Sequence, residues 1–151
     1  MTKLYLGIDP GASGAFAIID SEDRVVSYYR LDNPLSDIKG WIDRYKWDIK
    51  GACLEHVHAM PKQGVSSTFK FGASFGFCEG ILVASGIPYV LVSPVKWQRH
   101  QSCLTKGDKN VTKNLAQSLW PKLSVNHHIA DAFLLARYAR LTNDSKELLT
   151  N

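Results

Sequence analysis

Cysteine is scarce in this chain: three in 151 residues, Cys53, Cys78 and Cys103, with no C-x-x-C pair among them. An odd, dispersed set supports neither a disulfide framework nor a zinc ribbon, so reduced, buried thiols are expected. Long apolar runs are missing too. No stretch reaches the roughly 18 residues of a membrane-spanning helix, and the opening "MTKLYLGIDP" lacks the basic-then-apolar order of a secretory signal. A protein with no membrane association, in the cytoplasm, is the expectation. There is no G-x-S-x-G elbow, no Walker A sequence and no H-E-x-x-H, which leaves acyl transfer, P-loop hydrolysis and zincin chemistry without support.

Acidic residues are outnumbered, 14 to 18 Lys and Arg, but the imbalance is local. From Ser93 to Lys122 six bases (Lys96, Arg99, Lys106, Lys109, Lys113, Lys122) face a single acid, Asp108, whereas Asp20 to Glu55 holds eight acids and six bases. The basic segment is either a phosphate-backbone surface or a solvated face. With 45% hydrophobic residues, the length suits a single domain over 1–151 that buries about two-thirds of its unfolded surface.

Three short runs rich in β-branched and aromatic residues, "KLYLGIDP", "GAFAIID" and "RVVSYYRL", are separated by the turns "PGASG" and "SED" and predict an antiparallel meander. "PLSDIKGWIDRYKWD" carries Leu35, Ile38, Trp41, Ile42 and Tyr45 at helical spacing behind Pro34. "GACLEHV" predicts a buried strand, about 67–85 a helix, "IPYVLVSP" a last strand, then a basic, partly helical stretch and a C-terminal helix from about His127 to Leu141. This order implies an α/β domain with a mixed five-stranded sheet, a three-strand antiparallel meander plus two parallel strands, flanked by helices.

In the 67–85 helix Gly72, Gly76 and Gly80 recur every fourth residue, each costing about 1 kcal/mol relative to alanine. Close backbone approach is the usual compensation, either onto the chain's own sheet or onto a partner helix across a two-fold axis.

Three acids stand out by placement. Asp9 closes an apolar strand just before Pro10, Gly11 and Gly14, and Glu55 interrupts the apolar run "CLEHV", where an acid is seldom buried without a charge partner or a metal. Asp131 lies in the first turn of the last helix with His128 three residues earlier on the same face. Converging, three carboxylates would repel one another unless a divalent cation neutralised them.

The ordered set "LGIDPGASGAFAIID", "LEHVHAM", "VSPVKWQ", "KGDK" and "HHIADAFLLARY" resembles the RuvC-type Holliday junction resolvases, particularly their short phage-encoded branch, within the ribonuclease H-like superfamily. The resemblance spans nearly the whole chain. It implies a homodimeric, magnesium- or manganese-dependent endonuclease of recombination, repair and replication. That enzyme would nick two opposed strands of branched DNA and leave 5′-phosphate and 3′-hydroxyl ends, in a bacterial cell or a phage-infected host. Asp9, Glu55 and Asp131 match the family's metal carboxylates, and His128 falls where relatives carry a fourth acid or a histidine. Lys109 matches a lysine near the scissile phosphate and Lys96 is a weaker counterpart. Lys106, Lys113 and Arg99 would hold backbone phosphates. The family's apolar junction wedge has no clear match, with Met60 and Phe69 as candidates. A two-metal site follows, with ions about 4 Å apart bridged by Asp9. The homodimer would form through the 67–85 helix.

Alternatives come from other classes. A catalytically silent junction-binding scaffold would keep the fold and the basic stretch, and an actin-like or sugar-kinase-like ATPase also has an acid and glycines after its first strand but pairs two such lobes. His56, His58 and His127 are expected as surface or supporting groups, and Trp41, Trp47, Trp97 and Trp120 as core rather than base-stacking residues.

Overall fold

The three β-branched runs form β1 (Leu4–Asp9), β2 (Ala15–Asp20) and β3 (Val25–Arg30) in the computed structural model, which describes residues 2–150. Helix α1 (Leu35–Asp43), β4 (Ile49–Glu55), α2 (Val65–Ala84), β5 (Tyr89–Val92), α3 (Pro94–His100), α4 (Asn110–Leu119) and α5 (His127–Thr150) follow. The sheet runs β3-β2-β1-β4-β5, with β1–β2 and β2–β3 antiparallel and β1–β4 and β4–β5 parallel, so the expected meander plus two parallel strands is present. Every residue of β1 and β2 is buried, as strands covered on both faces require. On one face Leu6, Ile8, Ile18 and Leu54 pack with Ile38, Trp41 and Ile42 of α1 and Cys78 and Leu82 of α2. On the other, Tyr5, Ala17 and Cys53 pack beneath α5, with Trp97 and Trp120 at its flank. All three cysteines are buried free thiols, as expected.

Glycine at position 7 decides how α5 sits. A Cβ there would lie 2.0 Å from the carbonyl oxygen of Ala132 and 2.2 Å from the nitrogen of Ala136, so only glycine lets the helix backbone rest on β1. The small residues Ala132, Ala136 and Ala139 complete that contact.

Four expectations are corrected. Helix α1 stops at Asp43, leaving Tyr45 in the following turn and Leu35 exposed. Helix α5 continues past Leu141 to Thr150, because neither glycine nor proline stops it and Arg140 pairs with Asp144 at i,i+4. Trp47 is 83% exposed beneath the Lys46 ammonium, while Trp41, Trp97 and Trp120 are core as expected. A Cβ added at Gly72, Gly76 or Gly80 would meet nothing within 4 Å, so the glycine stripe does not serve packing on the chain's own sheet.

Candidate active site

Strand register builds the first half of the site. Ile8 pairs with Leu54 between the parallel strands β1 and β4, so Asp9 and Glu55 emerge side by side at the C-terminal edge of the sheet. Alternation puts both on the face of Gly7 and Cys53, which is the face α5 covers. Because Ala132 rests on Gly7, the start of α5 brings His128 in its first turn, and Asp131 in its second rather than its first as expected, to that same edge. Three acids and a histidine separated by more than a hundred residues thus meet at one rim, the grouping the sequence anticipates.

Electrostatics there is strained. Asp9 and Glu55 are 7% and 8% exposed. Burial raises Asp9 above the usual carboxylate range against the pull of His128 and Lys109. Burial, then the charge of Asp9, pushes Glu55 up to about 8. The same two causes, in the same order, push Asp131 up to about 7, opposed by Thr112, His128 and Lys109. His128 Nδ1 lies 2.9 Å from Asp9 Oδ2, and that hydrogen bond raises the imidazole above its ordinary value. The contact pulls Asp9 down and His128 up, yet burial still leaves all three acids raised.

The donor chemistry fits a divalent cation. Hard carboxylate oxygens with one imidazole suit magnesium or manganese, and Asp131 Oδ1 is buried with no hydrogen-bond partner. Among the described residues no three such side chains already stand as a complete cage, and Asp9 is engaged by His128.

Around this rim the basic residues take distinct places. Lys109 begins α4, where Asp108 Oδ1 accepts the Asn110 amide and starts the helix, and its charge reaches Asp9, Asp131 and His128. Lys96 and Arg99 line a groove of about 390 Å³ with Ser93, Val95 and His100. Lys106 is exposed on the α3–α4 loop in the left-handed region (φ 47), followed by Gly107 (φ 92), while Lys113 is half-buried on α4. Met60 and Phe69 are 64% and 77% exposed, on the loop after β4 and on the first turns of α2. His56 stacks on Phe75 and His58 tilts against His56.

Three supporting residues escaped the sequence reading. Trp97 Nε1 donates to Glu55 Oε2 at 2.7 Å. Buried Thr112, whose hydroxyl donates to the Lys109 carbonyl at 3.3 Å, helps to lower Asp131. Ser74 on α2 accepts the amide of Gly11, whose φ of 118 turns the chain after Asp9. The first two read in sequence as core and helix residues, and only Gly11 was marked, as part of a turn.

No protein-family profile matches the chain, and no curated protein sequence does. Among solved structures, Thermus thermophilus RuvC in complex with a Holliday junction substrate superposes with a TM-score of 0.66 at 15% identity, over 95% of this chain and 96% of that one. A second Thermus thermophilus RuvC structure gives 0.65 at 13% identity, over 95% and 96%. At that identity the likeness is one of fold, and this chain has the ribonuclease H-like fold of RuvC.

Proposed function

We propose that the chain is a divalent-metal-dependent, structure-selective endodeoxyribonuclease that resolves four-way and related branched DNA by paired symmetric nicks, leaving 5′-phosphate and 3′-hydroxyl ends. The observation that carries this reading is the meeting of buried Asp9 and Glu55 with half-buried Asp131, from β1, β4 and α5, as an acid cluster without enough positive charge to balance it. The likeness in fold to a RuvC solved with a Holliday junction supports the choice of substrate.

Bound magnesium or manganese would supply an activated water and offset charge on the leaving 3′-oxygen. Asp9, Glu55 and Asp131 would hold it, with His128 released from Asp9 to join them or to hand a proton to the leaving group. Lys109, beside the acids, would stabilise charge on the scissile phosphate. Lys96, Arg99, Lys106 and Lys113 would fix the backbone in register, and such contacts read shape rather than base identity. Met60 or Phe69, both exposed, would enter the junction centre. Paired nicks need two sites, and the open glycine stripe of α2 beside exposed Phe69 and Val83 supports a homodimer through that helix.

A silent scaffold draws on one observation, the His128 contact that engages Asp9. An end-labelled synthetic four-way junction with and without Mg²⁺ or Mn²⁺ separates the readings. Metal-dependent, symmetric, ligatable nicks are expected; binding with no nicks under either ion leaves the scaffold.

A further inference from the structure

The rim acids differ in how their oxygens are engaged. Asp9 Oδ2 meets an imidazole that can turn away, and Asp131 Oδ1 is buried with no partner. Glu55 is held by a group of another kind. Its Oε2 accepts the indole N–H of Trp97 at 2.7 Å, across 42 residues of sequence. An indole nitrogen is a donor only: it carries no charge, cannot ligate a metal and has no second role to switch into.

Trp97 is also fixed from every side. It is fully buried in the core beneath α5, and its own amide donates to the carbonyl of Ser93, the residue whose side chain caps α3. The next residue, buried Gln98, anchors the far end of the helix, accepting the Cys103 amide on its carbonyl and Thr105 on its side chain. A short helix tied at both ends therefore presents one N–H at one carboxylate oxygen.

We infer that Trp97 is a positioning residue that reserves Oε2 of Glu55 and presents Oε1, in a preset rotamer, as the single oxygen this acid offers to a divalent cation. The idea rests on the metal-dependent reading above, but it concerns binding rather than cleavage. Lys96 and Arg99 flank Trp97 on α3 and face outward into the basic groove, so one seven-residue helix carries a DNA-facing side and a side that orients a ligand. Loss of such an orienting partner typically lowers metal affinity 10- to 100-fold, by roughly that order here.

The test reads the metal and the indole directly. In ¹⁵N-labelled protein the Trp97 indole cross-peak, assigned as the one missing from W97F, should be shifted downfield and exchange slowly with water. Glu55→Gln should move it, and Mg²⁺ should move it on titration. Binding of Mn²⁺, followed by its electron paramagnetic resonance signal, should weaken about tenfold in W97F. In a Glu55→Gln background the same change should have no further effect, which a merely structural role for Trp97 would not produce. Junction binding in EDTA should stay within two-fold. Equal Mn²⁺ affinity in folded W97F, or an indole peak indifferent to Glu55→Gln, overturns the inference; should W97F not fold, triple-resonance spectra of the native protein assign the peak and the Glu55→Gln comparison still decides. Failure of the native protein to bind Mn²⁺ or Mg²⁺ at all overturns this inference and the metal-dependent reading together, whereas metal binding without nicking overturns only the latter.

Discussion

Two clusters of ionisable groups tie the β-meander to α5, and they are built on opposite plans. At the C-terminal edge of the sheet, Asp9, Glu55 and Asp131 meet with His128 and Lys109 as their only near cations among the described residues that shift them, and all three acids are raised. In the β2–β3 turn a single acid, Asp23, accepts Arg137 Nε at 3.0 Å and Arg140 Nε and Nη2 at 2.6 and 2.9 Å, while its carbonyl accepts Trp120 Nε1. There the carboxylate has two guanidiniums, Arg140 is raised further by the contact, and Arg137 Nη1 donates to Gln101 Oε1. One cluster is satisfied internally and the other has a deficit of positive charge. A satisfied network specifies structure, whereas a deficit kept in a buried place is what a cation or a phosphate-bound metal would relieve.

Neutralising one acid in each cluster should therefore act in opposite directions. Asp9→Asn should reduce junction cleavage by about 10³-fold or more, roughly 4 kcal/mol of transition-state stabilisation, with junction binding within a few-fold. Its metal-free unfolding temperature at pH 8 should hold or rise, because the change removes the charge that raises Glu55 and Asp131. Unchanged nicking by this variant would sink the metal-ligand assignment.

Asp23→Asn isolates charge at the other cluster. Asp23 has a φ of 61, a conformation asparagine tolerates as readily, so the backbone is spared. Two partly buried guanidiniums lose their anion, and stability should fall by about 2 kcal/mol, or about 5 °C in Tm, with the cleavage rate of the folded protein retained. Loss of activity without loss of stability would show that this network serves the site.

The clusters also differ in their dependence on pH. Without metal, Glu55 takes up its proton at about 8 in the folded chain against 4.5 ordinarily, and Asp131 at about 7 against 3.8. The folded state thus binds more protons than the unfolded state between those values, and raising pH across the window removes stability. Arg140, a guanidinium raised above its ordinary range by Asp23, stays charged throughout and adds nothing to this slope. Tm in EDTA should be lower at pH 8 than at pH 6, with the difference reduced in Glu55→Gln and by saturating Mg²⁺. A higher Tm at pH 8 in EDTA would contradict the raised acids.

What was readable beforehand follows the same division. Asp9 and Glu55 were visible because an acid at the end of an apolar strand breaks a pattern, and the strands themselves followed from β-branched runs between tight turns. The partners of those acids were not visible. Trp97 lies 42 residues from Glu55 and Arg140 lies 117 from Asp23, and nothing in local periodicity distinguishes a core tryptophan from one whose indole holds a carboxylate. Asp23 read as an ordinary turn acid for the same reason. The length of α5 was missed because residues 142–147 just past Leu141 are polar, and the Arg140 to Asp144 pair bridges that stretch in place of an apolar stripe. The glycine stripe was seen, but only the open space beside it excluded the intrachain use.

The smallest expected effect is the most discriminating for His128. In the metal-free chain its imidazole caps Asp9, so it acts as the one adjustable cation of an acid cluster that otherwise lacks compensation. If the ring also ligates metal, replacing it with a carboxylate changes the donor set from mixed nitrogen and oxygen to all oxygen, which suits magnesium better. His128→Asp should then keep cleavage while moving the ratio of Mn²⁺- to Mg²⁺-supported rates a few-fold toward Mg²⁺. The variant should also lower metal-free stability at pH 8, because a fourth acid deepens the deficit, whereas Asp23→Asn lowers stability with no change in metal preference. A variant that loses cleavage under both ions while still binding Mn²⁺ as tightly as the native protein would make His128 a proton donor to the leaving oxygen rather than a ligand.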